Sequence, residues 1–207
     1  MKNSILVILI TILPIVVFGQ HDRQSVEQLI SSHTSQLEQK NVEQWLVSWH
    51  YCNGRVEMIR MPDGSMCISK GTFYQAYVLW KDGDRSWIAK FDSCGQYQPV
   101  KMDDNTLLNY YTNNFKRLME EEVLLYKSAS YTGDPELRKS VEPCFRDYIF
   151  KKGESKKVLS YNLYQMSSSE EEPNENYQHN FGLVVHTLDE MIGRWISENR
   201  RKFKRVK

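Results

Sequence analysis

The run Phe73-Tyr74-Gln75-Ala76-Tyr77-Val78-Leu79-Trp80-Lys81-Asp82-Gly83-Asp84-Arg85-Ser86-Trp87-Ile88-Ala89-Lys90-Phe91-Asp92 is the clearest structural signal in the chain. Two segments rich in aromatic and apolar residues flank Asp82-Gly83-Asp84, whose glycine can supply the positive φ of a tight hairpin turn. A two-residue turn at Asp82-Gly83 sets Tyr74 opposite Phe91, Ala76 opposite Ala89 and Val78 opposite Trp87. Moving the turn to Gly83-Asp84 slides the partners, yet Tyr74, Ala76, Val78, Trp80, Trp87, Ala89 and Phe91 still share one face, because side chains alternate with a period of two. A three-residue turn would mix the faces.

Upstream of this hairpin, Trp45, Val47, Trp49 and Tyr51 alternate with Leu46, Ser48, His50 and Cys52. Asn53-Gly54 favours a type I′ turn that would set Tyr51 opposite Val56, His50 opposite Glu57 and Trp49 opposite Met58. Pro62-Asp63-Gly64-Ser65 marks a second turn, leading into Met66 to Lys70. Residues 45–92 therefore predict a meander of about five antiparallel strands.

Helical spacing brackets the strands. Val26, Leu29, Ile30, His33 and Leu37 predict a helix over 25–40. Asp103 or Asp104 can cap a long central helix to about Lys127, striped by Leu108, Tyr111, Phe115, Leu118 and Met119. At 1.5 Å per residue its roughly 24 residues span about 36 Å, enough to cross the sheet and cover its apolar face. A short helix is expected over Pro135 to Val141. A second hairpin, Cys144 to Lys151 with Lys156 to Tyr164, turns at Gly153. Residues 167–180, opened by Ser167-Ser168-Ser169-Glu170-Glu171-Glu172-Pro173, predict a mobile acidic loop. Phe181 to His186 reads as a last strand, and Thr187-Leu188-Asp189-Glu190 as the capping box of a C-terminal helix striped by Leu188, Met191, Ile192, Trp195 and Ile196. The fold class is α+β: a meander plus a C-terminal hairpin, packed against N-terminal, central and C-terminal helices. This order resembles, in architecture alone, cystatin-like and nuclear-transport-factor-like scaffolds, which host binding and catalysis alike.

The 207 residues carry 27 Lys plus Arg against 26 Asp plus Glu. Lys2 followed by the apolar run Ile5 to Phe18 predicts an export signal over residues 1–19, cleaved after Gly19 to leave Gln20 first. The run is short of the roughly 20 apolar residues that span a bilayer. An uncleaved N-terminal anchor is the alternative. What remains, 20–207, reads as one domain with balanced charge, which argues against a nucleic-acid partner. Export to a periplasmic or extracellular space makes disulfides the expected state of Cys52, Cys67, Cys94 and Cys144. Their gaps of 14, 26 and 49 residues do not fit zinc, and no metal or cofactor is expected. In the predicted register Cys52 and Cys67 face opposite ways, so Cys67 with Cys94 is the preferred pair.

No nucleophile elbow, H-E-x-x-H helix, phosphate loop or dinucleotide fingerprint is present. One constellation could carry chemistry: His50 and Cys52 on one strand face with Glu57 opposite, where an acid orients a base that activates a thiol. The same residues equally describe a surface His–Glu pair beside a disulfide. Asp82-Gly83-Asp84 could offer oxygens to calcium but is explained by the turn. The tryptophans read as core, leaving Phe73 and Tyr77 as candidate free ring faces. Residues 200–207 are basic at six of eight positions. Arg200, Arg201 and Lys202 therefore either complement the helix dipole or meet an anionic membrane surface. The expected function is a non-catalytic exported module that binds a protein or a glycan. The alternatives are a hydrolase or thiol-dependent enzyme using His50, Cys52 and Glu57, and a membrane-peripheral structural protein held by its tail.

Overall fold

The segment Trp45 to Trp49 is buried at five consecutive positions. The strand that contains it, β1 (Gln44–Cys52), therefore has no wet face along that stretch and needs partners on both sides and layers above and below. A computed structural model, which describes residues 23–128 and 143–206, supplies all four. β1 pairs antiparallel with β4 (Tyr74–Asp82) on one side and β8 (Cys144–Lys152) on the other. The sheet continues through β5 (Arg85–Asp92) to the short β6 (Gly95–Gln96) and β7 (Val100–Lys101), and beyond β8 to β9 (Ser155–Asn162).

The expected pairing of β1 with residues 55–58 does not form. The Asn53-Gly54 turn is present, with Gly54 at φ 81, but the chain then leaves the sheet. β2 (Met58–Arg60) and β3 (Met66–Ile68) pair only with each other, as a separate ribbon. The places beside β1 are taken by β4 and β8 instead. The hairpin after Phe73 adopts the slid register, with Asp82 opposite Arg85 and Trp80 opposite Trp87, so its turn residues are Gly83 and Asp84.

The face named from the sequence survives this slide. Ala76, Val78, Trp80, Ala89 and Phe91 pack with Trp45, Val47 and Trp49 against Val26, Ile30 and Leu37 of α1 (Arg23–Gln39). The N-terminal helix, not the central one, covers it. The opposite face is just as apolar: Leu46, Leu79, Ile88, Tyr148 and Phe150 lie beneath α2 (Thr106–Asn113), α3 (Phe115–Glu120) and α5 (Val184–Glu198). The result is a sheet sandwiched between helical layers.

The long central helix is broken. Asn114, at φ −104 and ψ 7, separates α2 from α3. Its side-chain amide donates to the Tyr110 carbonyl at 2.9 Å, a local bond that competes with regular helix. From Glu121 the chain is extended, and that residue's carboxylate accepts hydrogen bonds from the Val184 and Val185 amides at 2.7 and 3.1 Å. A remote acid thus caps α5, which begins three residues before Thr187. Residues 181–186 are not a strand; α4 (Tyr177–Phe181) precedes α5 directly. The polar stretch 167–180, expected as a loop, carries buried side-chain contacts. Asn174 accepts from the Lys127 amide, and Asn180 donates to the Leu124 and Gln165 carbonyls. These two buried asparagines satisfy backbone groups of residues 124–127 that have no strand beside them.

Two disulfides complete the frame. Cys52–Cys144 joins directly opposed positions of β1 and β8, and Cys67–Cys94 ties the ribbon to the turn after β5. They point to an oxidising, extracytoplasmic compartment. No helix of the described residues is long and apolar enough to cross a membrane. The expected export signal, with Gly19 and Gln20, and the helix over Pro135 to Val141 lie outside the described residues.

Candidate functional site

Alternation along the strands carries a polar row across the end of the face beneath α5. Register aligns Arg146, His50, Gln75 and Asp92 from β8 through β1 and β4 to β5, and behind them Tyr148, Ser48, Tyr77 and Lys90. The ribbon overhangs this row. Between them lie two hollows of about 560 and 220 Å³ that share Arg55, Phe73 and Gln75 and so form one cleft. Four cations line it, Arg55, Lys90, Arg146 and Arg200, against one acid, Glu57.

At the narrow end, the His50 Nε2 lies 2.8 Å from the Ser48 hydroxyl, and its ring meets Tyr77 edge-on. Burial, helped by the Arg146 charge and opposed by Asp189, pushes the imidazole down to about 3, so His50 is neutral at pH 7. Arg146 donates to the Asp189 carboxylate at 2.9 Å, and the Tyr148 hydroxyl donates to the same oxygen at 2.6 Å.

At the wide end, Asp92 is fully buried. It accepts from Arg205 at 2.7 and 3.0 Å, from the Tyr97 hydroxyl at 2.8 Å and from the Cys94 amide at 2.8 Å. The Lys90 Nζ is 3.9 Å from Asp92, beyond hydrogen-bond reach, and sits 4.6 Å over the Tyr97 ring. Burial pushes this ammonium down, with Asp92 opposing and Arg205 and Arg200 adding to the effect. Burial raises the Tyr77, Tyr97, Tyr148 and Tyr161 hydroxyls above their usual range.

The fold gathers His50, Cys52, Glu57, Phe73, Tyr77 and Arg200 around this one cleft, but not in the roles expected of them. Cys52 is oxidised with Cys144 and offers no thiolate. Glu57 lies on the ribbon and accepts from Arg55 at 2.9 Å, while the strand neighbours of His50 are Gln75 and Arg146. The acid–base–thiol triad therefore does not assemble. Phe73 and Tyr77 are 5% and 3% exposed, walls rather than free platforms, because β4 is covered on both faces. The basic tail is not a free end either. The Gln98 amide donates to the Lys204 carbonyl and the Val206 amide to the Gln96 carbonyl. Arg205 is sunk onto Asp92, and Lys202 pairs with Asp103 at 2.8 Å. Arg201 is exposed and lines no part of the cleft.

Sequence reasoning missed Lys90, Asp92, Tyr97, Arg146 and Arg205. One signal was available: Gln75, Lys90 and Asp92 cluster at one end of the hairpin, on the same face as the apolar pair Leu79 and Ile88. Among the described residues no group of three or more His, Cys, Asp or Glu could hold a metal ion, and Asp82 and Asp84 are surface residues of the turn. Trp45, Trp49 and Trp80 are core; Trp87 is half-buried and stacks on Trp80 at the rim of a separate hollow beside His33.

No family model, curated protein or solved structure matches this chain. The architectural likeness drawn from the order of elements thus has no counterpart there, and a functional reading rests on the cleft.

Proposed function

We propose that the protein is an exported, non-catalytic binding module of the cell envelope or extracellular space that takes its ligand into the cleft beneath the ribbon. The observation that carries this reading is the lining of the cleft: four cations and a side-chain amide against one acid, with the thiols in reach closed as a disulfide. An efficient general acid or base titrates near the working pH. Here His50 is held near 3, and the tyrosines are driven upward. Burial pushes the Lys90 ammonium down, and the rest of the polar lining is chiefly guanidinium and amide on a rigid sheet, groups suited to recognition. Both disulfides brace the roof, at Cys52 just before the ribbon and at Cys67 within it.

The test presents purified, oxidised protein with an array of envelope glycans and peptides. Saturable binding is expected, with no product accumulating over hours. Gln75→Trp, which fills a position shared by both hollows, should abolish that binding, with a modest fall in melting temperature because it also removes the acceptor of the buried Tyr77 hydroxyl. Turnover of any bound compound, or binding indifferent to Gln75→Trp, would overturn the reading. The export half is read separately: the mass of protein recovered from its native cell should begin at Gln20.

A further inference from the structure

We propose that the wide end of the cleft is an oxyanion seat formed by Lys90 and Arg200, and that its ligand is an acidic saccharide bearing a ring-borne carboxylate or sulfate. This rests on the reading of the cleft as a binding site and adds the chemistry of the ligand.

Lys90 supplies the first argument. Its side chain is only 17% exposed, yet among the described residues its ammonium has no hydrogen-bond acceptor. Asp92 stands at 3.9 Å and its oxygens already take Arg205, Tyr97 and the Cys94 amide. The ammonium keeps only a long ion pair with Asp92 and the face of the Tyr97 ring, so its N–H donors remain free for an incoming anion. Arg200 supplies the second. Its guanidinium is in no ion pair or side-chain hydrogen bond among the described residues, and it lines the same hollow as Lys90. One half-buried point charge and one exposed planar fork facing the same space suit a group with several oxygens.

The surroundings select the carrier. The floor is the face of central strands whose backbone groups are spent in the ladder, so an extended peptide would gain main-chain bonds only from the outer edges of the ribbon. The cleft offers side chains instead: Gln75, Tyr77 and Tyr97 beside the cations. The Gln75 amide and the ring edges of Tyr77 and Tyr97, whose hydroxyls are bonded to Gln75 and Asp92, match the hydroxyls and apolar patches of a sugar ring.

The test is calorimetry at low salt with four probes: trigalacturonate, a sulfated carrageenan tetrasaccharide, neutral cellotriose and a hexaglutamate peptide. Binding of one or both acidic saccharides is expected, with cellotriose inert and hexaglutamate weaker. Lys90→Met should weaken it about tenfold and Arg200→Gln about threefold, since a rim charge contributes less than a desolvated one. Lys90→Met also has a readout without ligand: removing an ammonium that makes no hydrogen bond while keeping its stem should leave the melting temperature unchanged or higher.

A lower melting temperature would show that Lys90 is a structural partner of Asp92 and would overturn the seat. Cellotriose binding as tightly as the acids, hexaglutamate binding tightest, or no probe binding would each overturn the proposal. The first two leave the cleft standing as a binding site. Release of new reducing ends from trigalacturonate would instead overturn the non-catalytic reading while supporting the seat.

Discussion

Replacing Arg205 with Met should be among the most damaging single substitutions outside the apolar core. Its guanidinium makes two bonds to Asp92, at 2.7 and 3.0 Å, and one to the Cys94 carbonyl at 2.9 Å. Asp92 has no exposed surface, so removing the cation strands a carboxylate that water does not reach. Breaking a buried pair from one side typically costs about 3–5 kcal/mol. Two donors remain, the Tyr97 hydroxyl and the Cys94 amide, and Lys90 has only to close a gap of 3.9 Å. The lower end, about 3 kcal/mol, is therefore expected. For a chain of this size that lowers the melting temperature by roughly 6–12 °C. Urea unfolding at pH 7 with both disulfides intact measures it, and a double-mutant cycle with Asp92→Asn isolates the pair. The double variant should be more stable than the sum of the singles implies, because removing both partners leaves no orphan charge. A loss below about 1 kcal/mol for Arg205→Met, or costs that simply add, would refute the view that the tail is an integral strut.

Three further outcomes follow from the same geometry. His50 is held near 3 in the fold against about 6.5 in an unfolded chain, so the unfolded state takes up the proton first and stability falls as pH drops from about 6.5 toward 3. Between pH 7 and 4.5 the wild type should lose about 2 kcal/mol more than His50→Gln in urea melts; parallel losses would refute the burial of a neutral imidazole. Cys67→Ser with Cys94→Ser opens a cross-link between residues 27 apart, for which chain entropy predicts about 3–4 kcal/mol, and proteolysis should then fall first within the ribbon. Glu121→Ala removes the carboxylate that caps α5 and should cost about 1–2 kcal/mol in urea unfolding, whereas an unchanged midpoint would show that the amides of Val184 and Val185 find other acceptors.

What the sequence revealed and what it hid divide along a physical line. The apolar face of the Phe73–Asp92 hairpin was legible because a period of two fixes which side chains share a side, whichever register the turn selects. β8 and β9 were legible for a similar reason, with Gly153 between them. The partners of β1 were not. Asn53-Gly54 is a strong local turn signal, and only the burial of both Leu46 and Val47 reveals a central strand. Glu121 capping α5 across more than 60 residues, and Asn174 and Asn180 serving residues 124–127, have no local signature at all. The candidate site shows the same split. His50, Cys52, Glu57, Phe73, Tyr77 and Arg200 attract attention singly, but their roles follow from which strand lies beside which. Lys90 and Arg146 acquire meaning only once β5 and β8 are known to flank β4 and β1.

The two cross-links are nested, since Cys67–Cys94 lies wholly inside the span closed by Cys52–Cys144. A protease that cuts the exposed Pro62–Ser65 bend therefore leaves Cys52 on one fragment and its mate on the other, and neither piece can drift off. The nicked molecule would keep its sheet and its full mass while the roof hangs open, an injury that shows on a gel only after reduction.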